Sequence, residues 1–426
     1  MKKALLLLLF PLLLASCSLL DSRTNEVVIC SSLPLNGGEN ARAQSMSWAI
    51  EMAIDQQNRQ GGVVLDGKIY PLRYVPMDDT APDSDKWDTG QEARNARAAI
   101  AEHDCIAYIG TFNSGAAKIA IPILNRVQMA MISPGNTYPG LTKPEQGLGD
   151  EPWIYSPLGP EKRNFCRVVP ADDLQAPAAA KYAANTLKLK RVFIFHDTEL
   201  YGKGLADIFA ATAPEIQMEV VGELGINSRL LTSDNPKERQ QHADEVASQI
   251  MDTRPDLVYF GGETASGPGH VLNVLRLNGY DGYFMGADAI AESAFLTDAG
   301  ISTDERVYAT LVALPPSQLG ETGAQWANNY RQRYGEPDAF AAPSYEATLV
   351  VIDAIERANL SPYQGDTLLE RARPAVLQAM KDTKEFNGIL GPWSFDKNCD
   401  TNDTTITMNQ AIDGAFQFKD IVPVNQ

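Results

Sequence analysis

The sequence is poor in the residues on which metal sites and nucleophilic active sites depend. Its 426 residues include only four His and five Cys. They contain no HExxH motif, no pair of CxxC motifs and no GxxxxGK[ST] loop. These absences exclude a zinc-protease site, a His-rich metal centre and a P-loop nucleotide site, so we expect no cofactor and no metal.

Basic residues are also scarce. The chain has 36 Lys and Arg against 54 Asp and Glu, which gives a formal net charge of −18. A nucleic-acid-binding protein needs a basic face to displace counterions from phosphates, so nucleic acid is not an expected partner. With 44% apolar and 21% charged residues, the composition is that of an ordinary globular protein. The length predicts about two or three domains.

A long apolar run occurs only at the amino terminus. Two lysines precede an apolar stretch over residues 4–15. The stretch is too short to span a bilayer, which takes about 20 residues, but it suits the hydrophobic region of a signal peptide. It leads into Ala15-Ser16-Cys17, which resembles the lipobox of bacterial lipoproteins, where the Cys is diacylated and becomes the new amino terminus.

We therefore predict a signal peptide over residues 1–16 and a lipidated tether over residues 17–25 that begins at Cys17. The mature protein would be exported and anchored by lipid to a bacterial membrane, facing the periplasm or the cell exterior. The alternative is an ordinary secretory signal with an incidental Cys. Export to an oxidising compartment permits disulfides among the remaining cysteines, for which three pairings exist; buried free thiols are the alternative.

Strand-like and helix-like segments alternate along the body of the chain in two series. The first series covers residues 26–132 and the second residues 178–285. Such alternation predicts parallel sheets covered by helices on both faces, and two series predict two α/β lobes. After a strand over residues 307–314 the pattern becomes mainly helical, and a strand-rich tail begins at residue 391.

Small polar loops follow the predicted strands, at the sheet edge where open parallel sheets bind ligands. In the first series, loops 111–116 and 133–139 offer hydroxyls, N–H groups and a helix N-terminus, which suit a carboxylate. In the second series the corresponding loops offer Tyr201, Glu263 and Asp288. The pattern fits a zwitterion held between the lobes, its carboxylate on the first and its ammonium on the second. The alternative for the Ser in the first loop is a plain helix cap.

Short motifs spread over residues 27–425 occur in a fixed order. Together they resemble the type I periplasmic binding proteins of ABC importers, specifically the branched-chain amino-acid (Leu/Ile/Val) binding family. The motifs are Pro34-Leu35-Asn36-Gly37, Asn58-Arg59-Gln60-Gly61-Gly62, Ile132-Ser133-Pro134-Gly135-Asn136-Thr137, His196-Asp197, Tyr201-Gly202-Lys203-Gly204, Tyr259-Phe260-Gly261-Gly262, Phe284-Met285-Gly286, Gly391-Pro392 and Phe395-Asp396.

The resemblance implies an α/β fold of two lobes, each a mainly parallel sheet flanked by helices, joined by three hinge crossovers. The crossovers would lie near residues 167–172, 311–315 and 391–396. Lobe 1 would comprise residues 26–171 plus 313–394, and lobe 2 residues 172–312 plus 395–426. Cys166 and Cys399 would both lie beside crossovers, where a disulfide between them would fit.

The resemblance also assigns binding roles. Ser114, Gly135 and Thr137 match the positions that bind the ligand α-carboxylate and help to hold its amino group. Asp288 stands where the family has a Glu that pairs with the ammonium. The other expected ligand-binding positions are Tyr201 as an aromatic wall, Phe112 and Phe340 as apolar lining, and Asn113 and Asn136 in the same two loops of lobe 1.

Two positions depart from the branched-chain pattern. Glu263 occupies a site where the family has a Tyr, and Arg42 lies near an aromatic that closes over the ligand side chain. Unpaired charge is costly to bury, so either the two residues pair across the cleft or they contact a more polar ligand; Arg42 could equally be a solvated charge on a helix face. We therefore expect an amino acid or a related small amide or amine, rather than Leu, Ile or Val.

The predicted function is a lipid-anchored, monomeric substrate-binding protein that delivers its ligand to an ABC permease and ATPase. An enzyme is not expected, because Ser114 lacks an identifiable His partner and no Gly-x-Ser-x-Gly elbow is present. Glu263 and Asp288 could in principle act as acid and base. A further alternative is a ligand-sensing or regulatory lipoprotein of the same fold, acting on a receptor or a cell-wall enzyme without transport.

Overall fold

The computed structural model describes residues 26–36, 40–81 and 86–424. The predicted signal peptide, Cys17 and the tether lie outside these residues. The described helices and strands are β1 (Val27–Leu33), α1 (Asn40–Arg59), β2 (Val63–Leu65), β3 (Lys68–Tyr70), β4 (Leu72–Asp78), α2 (Thr89–Ala101), β5 (Cys105–Gly110), α3 (Ser114–Asn125), β6 (Ala130–Ser133), β7 (Phe165–Arg167), α4 (Asp172–Asn185), β8 (Arg191–His196), α5 (Leu200–Thr212), β9 (Glu219–Gly225), α6 (Ser228–Leu231), α7 (Pro236–Asp252), β10 (Leu257–Gly261), α8 (Pro268–Leu277), β11 (Tyr283–Gly286), α9 (Ser293–Asp298), β12 (Asp304–Leu311), α10 (Glu321–Tyr334), α11 (Ala341–Arg357), α12 (Leu368–Lys381), β13 (Phe386–Asn387), β14 (Pro392–Trp393), β15 (Ile406–Ile412) and β16 (Ala415–Val422).

Five parallel strands form the first sheet, in the order β4-β1-β5-β6-β7. Every residue of β1 is buried, which is expected of a strand covered on both faces. Its alternate side chains enter different cores: Ile29 and Leu33 pack with residues of α1 and α11, while Val28 and Cys30 pack with alanines of α2 and α3. The predicted α/β layering of this part of the chain is confirmed.

The second sheet has seven strands, in the order β16-β15-β12-β11-β10-β8-β9. The strands from β9 to β12 are parallel, and β15 and β16 pair antiparallel at the edge. Phe193, Phe195 and Phe260 fill the core beneath α7 and α8. Ile194 and Tyr259 point to the opposite face, into the core that includes residues of α4 and α5.

The chain passes between the two sheets three times. The first passage joins Arg167 in β7 to α4, which packs on the second sheet, and the second follows β12. Asp400 still bridges to Arg167 in the first sheet, so the third passage lies between residues 401 and 406. This is further along the chain than residues 391–396, where the resemblance puts it.

Two disulfides pair the four cysteines of the described residues. Cys166 is bonded to Cys399 beside the first and third passages, with a Cα–Cα distance of 4.7 Å. Cys30 on β1 is bonded to Cys105 on the adjacent strand β5, with a Cα–Cα distance of 5.9 Å. The free-thiol interpretation is therefore wrong for this structure. In the described part of the chain, no helix has both the length and the hydropathy needed to cross a membrane.

Candidate ligand-binding site

A small cavity lies in the cleft between the two sheets, where the carboxyl ends of their parallel strands meet. The loops after β5 and β6 form one wall, and α5 with the loops after β10 and β11 forms the other. With the exception of Ala289, every lining residue is a position predicted from the sequence. The lining residues are Phe112, Asn113, Ser114, Gly135, Tyr201, Glu263, Asp288 and Ala289.

On the first-sheet side, hydrogen bonds hold the two loops in place. Ser133 Oγ accepts from the N–H groups of Gly135 (3.1 Å) and Asn136 (2.8 Å) and donates to Thr111 O (2.8 Å). The Asn136 amide donates to Phe112 O at 2.7 Å. Asn136 therefore stabilises the two loops through these hydrogen bonds, and it is not among the residues that line the cavity.

Ser114 presents a neutral hydroxyl at this end of the cleft, whereas Thr137, in the loop after β6, is not among the residues that line the cavity. Ser114 is the first residue of α3, so its surroundings include the N–H groups and the positive dipole end of that helix. Both side chains are buried. Gly135 lies against the Phe112 ring, where an added Cβ would approach ring carbon Cδ2 to 2.8 Å. A larger residue would therefore displace the aromatic ring from the cavity wall.

Asp288 places a carboxyl group on the second-sheet side. It begins the short 3₁₀ turn that follows β11, and its Oδ1 accepts from Tyr201 Oη at 2.9 Å. Burial raises the pKa of the Asp288 carboxyl, which hydrogen bonds from Gln175 and Tyr201 and the charge of Arg42 only partly offset. A buried carboxylate in this state is stabilised by a cation, which would keep it ionised.

Asp172 is a second buried carboxylate near Asp288, and sequence reasoning missed it. It is fully buried, and neither of its oxygens accepts a hydrogen bond of normal geometry from the described residues. Burial raises its pKa well above the ordinary value, and the charge of Asp288 raises it further. In sequence, Asp172 and Asp173 are acidic residues in the first turn of a helix, which is the common pattern of favourable helix-dipole charges.

Glu263 crosses the cleft to the first-sheet side. Its Oε1 accepts from Asn113 Nδ2 at 2.6 Å, and its backbone N–H donates to Asp197 Oδ2 at 3.1 Å. Burial and the charge of Asp197 raise the pKa of Glu263 to about 7, with Lys86 opposing the shift. Glu263 therefore gives the cavity a hydrogen-bond acceptor that titrates near neutral pH.

Arg42 also crosses the cleft, and its interpretation as a solvated charge is wrong because it is only 2% exposed. Its Nε donates to both Asp338 oxygens at 3.3 Å. Nη1 donates to Asp288 O at 3.2 Å and Nη2 to Ala291 O at 3.0 Å. Arg42 thus bridges to backbone carbonyls of the opposite wall, while Glu263 bridges to Asn113.

Phe340 lies behind the cavity wall. Its ring packs edge-on against Phe112 with a centroid distance of 5.1 Å, and the Arg42 guanidinium lies 5.3 Å from its centroid. Phe340 therefore supports Phe112 and Arg42 and is not among the residues that line the cavity.

Comparison with known proteins identifies the family. The family profile described as "Periplasmic binding protein" matches residues 26–415. The chain belongs to the periplasmic binding protein family. Proteins of this family act outside the cytoplasm and bind solutes, so the chain is a binding protein and not an enzyme.

Relatives of this periplasmic binding protein share its length and fold. The Leu/Ile/Val-binding protein BraC3 of Rhizobium johnstonii is 26% identical over 400 residues, covering 93% of this chain and 94% of the relative. The leucine binding protein LivK of Thermotoga maritima has a TM-score of 0.74 at 23% identity, covering 93% and 98% of the two chains. A solute binding protein of R. palustris in complex with benzoate has a TM-score of 0.69 at 15% identity, covering 93% and 96%. Since one fold accommodates leucine and benzoate binders, the fold does not determine the ligand.

Proposed function

We propose that the protein is the extracytoplasmic, lipid-anchored substrate-binding protein of an ABC importer for a small amino-acid-like ligand. The ligand would be held between a first lobe built on the five-stranded sheet and a second lobe built on the seven-stranded sheet. The two lobes would close on it by a hinge motion, of which periplasmic binding proteins are a standard example. The relatives named above are the grounds for the importer role.

One observation carries the ligand class: the two walls of the cleft have complementary chemistry. The first-sheet wall presents Ser114 and a helix N-terminus, which suit a carboxylate, and Thr137 would assist from the loop after β6. The second-sheet wall presents the carboxyl of Asp288, with Asp172 beside it. A zwitterion with its carboxylate on the first wall and its ammonium between the two Asp residues would satisfy both.

The ligand would differ from Leu, Ile and Val at its side-chain end. In that part of the cavity the wall consists of Phe112, Asn113 and Glu263, and Glu263 offers a buried acceptor. An aliphatic side chain would desolvate this carboxyl without donating a hydrogen bond to it, which costs binding energy. A side chain or an amide that donates a hydrogen bond would use it.

Lipid on Cys17 would hold the protein at the membrane, close to its permease and ATPase. The protein would act there as a monomer, with both lobes of one chain forming the site. Energy for uptake would come from the partner ATPase.

A thermal-shift screen of amino acids, short amides and amines, followed by isothermal titration, tests this function. We expect at least one polar amino acid or amide to raise the melting temperature and to release heat on binding, and Leu to give neither. A protein that binds Leu tightly, or that binds no member of the panel, would contradict the proposal.

A further inference from the structure

A second cavity lies beside the first sheet and away from the ligand cavity. Its volume is about 180 Å³, and its walls come from the segment that leads into β7, from the carboxyl-terminal end of α12 and from residues 396–399. It shares no lining residue with the ligand cavity. One buried water needs about 10–15 Å³ of cavity volume, so this cavity has room for a small polyatomic ion.

Three basic side chains line the second cavity, those of Arg163, Lys381 and Lys397. In the described part of the chain, none of the three forms a salt bridge. Arg163 donates to the carbonyls of Thr142 at 2.8 Å and Lys397 at 3.3 Å, and Lys381 Nζ donates to the carbonyl of Glu161 at 3.3 Å. These acceptors are neutral, so no direct ion pair balances the three positive charges.

The two carboxylates in the cavity wall accept hydrogen bonds from other groups. Both oxygens of Asp382 accept from the Gln378 amide at 3.0 Å. Asp396 Oδ1 accepts from the backbone N–H groups of Asn398 at 2.8 Å and Asp400 at 2.9 Å. With three basic and two acidic side chains in its wall, the cavity keeps a positive excess.

The environment disfavours the charged forms of two of the basic groups. Burial lowers the pKa of Arg163, and nearby carboxylates, first among them that of Asp400, only partly offset the effect. Burial and then the charge of Arg163 lower the pKa of Lys381. An anion between the two groups would stabilise both cations.

We propose that this cavity binds a small oxyanion of the phosphate or sulfate type, held by Arg163, Lys381 and Lys397. Such an ion has several acceptor oxygens, so it can accept from a guanidinium and from ammonium groups at the same time. The three side chains belong to segments far apart in sequence. A bound anion would join these segments and stabilise the folded protein. The proposal does not rest on the proposed function, because the ligand cavity is separate.

The test is isothermal titration and thermal unfolding with inorganic phosphate at constant ionic strength. We expect the wild-type protein to bind phosphate saturably and to melt at a higher temperature, while sodium chloride of the same ionic strength has no such effect. In the double variant Lys381→Gln with Lys397→Gln, we expect the affinity for phosphate to fall at least about tenfold, because two charge-assisted hydrogen bonds are lost.

Lys188→Gln with Lys237→Gln is the matched control. Both lysines are exposed, one between α4 and β8 and the other in α7, so this variant loses the same charge away from the cavity. It should bind phosphate as the wild type does. If circular dichroism shows that the cavity double variant does not fold, Lys397→Gln alone, at an exposed position, takes its place.

Glycerol 3-phosphate is titrated in parallel, because a phosphate group can come from a lipid headgroup or from the free ion. Binding at least as tight as that of phosphate supports the site and assigns it to a phosphate ester; weaker binding supports it and assigns it to the free ion. A wild type that does not bind phosphate, a cavity variant with unchanged affinity, or an equal loss in the control variant would overturn the proposal. None of these results would alter the proposed function.

Discussion

At the scale of single residues, Asp288 is the group on which the proposed ligand binding would depend most. It is 2% exposed, bonded to Tyr201, and close to a second buried carboxyl, that of Asp172. Burial raises the pKa of both carboxyls. A ligand ammonium between them would favour their ionised forms and pair with them.

Asp288→Asn should therefore weaken binding by a large factor. Leaving one member of a buried charge pair without its partner costs about 3–5 kcal/mol, which corresponds to an affinity loss of about 100-fold or more. Isothermal titration with the ligand found in the screen measures it. Asp413→Asn, in the exposed turn between β15 and β16, is the control and should bind as the wild type does. Equal affinity in both variants would show that Asp288 does not contribute to ligand binding.

Glu92 gives the stability of the protein a pH dependence. It is fully buried and accepts hydrogen bonds from Ser32 Oγ (2.5 Å) and Tyr108 Oη (2.8 Å). Burial raises its pKa from 4.5 to about 8. The folded protein thus keeps a proton that the unfolded chain releases above about pH 4.5. By linkage, the free energy of unfolding falls as the pH rises from about 4.5 to about 8.

Glu92→Gln removes this titration while keeping the shape of the side chain. We expect the decrease in melting temperature between about pH 5 and pH 8 to be shallower in the variant than in the wild type. Glu102→Gln, at the exposed end of α2, should follow the wild-type curve. A variant at Glu92 that loses stability just as steeply would show that Glu92 does not bind this proton.

Several site residues could be predicted from sequence because they stand at strand ends in recognisable loops. Ser114, Gly135, Tyr201 and Asp288 follow strands whose apolar runs are easy to detect, and a parallel sheet brings its carboxyl ends to one edge. Asp172 could not be found this way, since its position depends on how the chain crosses between the sheets. The partners of Arg42 could not be found either, because Asp338 lies 296 residues away in the sequence.

At the scale of elements, the long strands and helices were the most predictable. The predicted strand over residues 307–314 overlaps β12, and the mainly helical pattern predicted after it corresponds to α10, α11 and α12. The three-residue strand β7 was missed, because its pairing to β6 and to Asp400 is determined by tertiary contacts and not by a local pattern. The third passage was misplaced for the same reason.

The segment around the Cys166–Cys399 disulfide ties the first and third passages together. Arg167 N–H donates to Cys399 O at 3.1 Å, and Thr401 N–H donates to Arg167 O at 3.1 Å. The fully buried Arg167 side chain binds Asp400 Oδ1 at 2.7 Å and the carbonyl of Tyr138 at 2.9 Å. Tyr138 follows the Thr137 loop, so this cluster connects the passages directly to the site.

Removing each disulfide separately tests that connection. Cys166→Ser with Cys399→Ser and, as the matched control, Cys30→Ser with Cys105→Ser should each lower the free energy of unfolding by about 3–5 kcal/mol. Only the first pair should also weaken ligand binding, because only it lies beside the passages and the Thr137 loop. Denaturant unfolding and titration measure the two effects. Unchanged affinity in the first double variant, or an equal loss in both, would contradict the connection.

At the scale of the whole molecule, the structure is a closed clamp. The side chains of Arg42 and Glu263 bridge the cleft from opposite sides. A third contact across the cleft is the hydrogen bond that Lys86 Nζ donates to Ser266 Oγ at 2.8 Å. A closed binding protein presents one continuous face, formed by both lobes, to a partner. This is the state that a permease would recognise.

The proposed lipid on Cys17 would determine where the protein works. In a bacterial host, the wild-type protein should partition with membranes, and mass spectrometry of its amino terminus should find a diacylated Cys17. Cys17→Ser should release the protein from the membrane fraction without changing its ligand affinity. A wild type processed at another site, or one that is recovered unacylated, would contradict the anchor while leaving the binding function intact.

In the proposed complex, a small zwitterion lies across the cleft in one orientation. A crystal structure of the protein with the ligand identified by the thermal-shift screen tests it most directly. We predict the ligand carboxylate at Ser114 and Thr137 and its ammonium at Asp288 and Asp172, with both lobes in contact with it. A ligand bound outside this cavity, or bound with its two charged ends exchanged, would contradict the account.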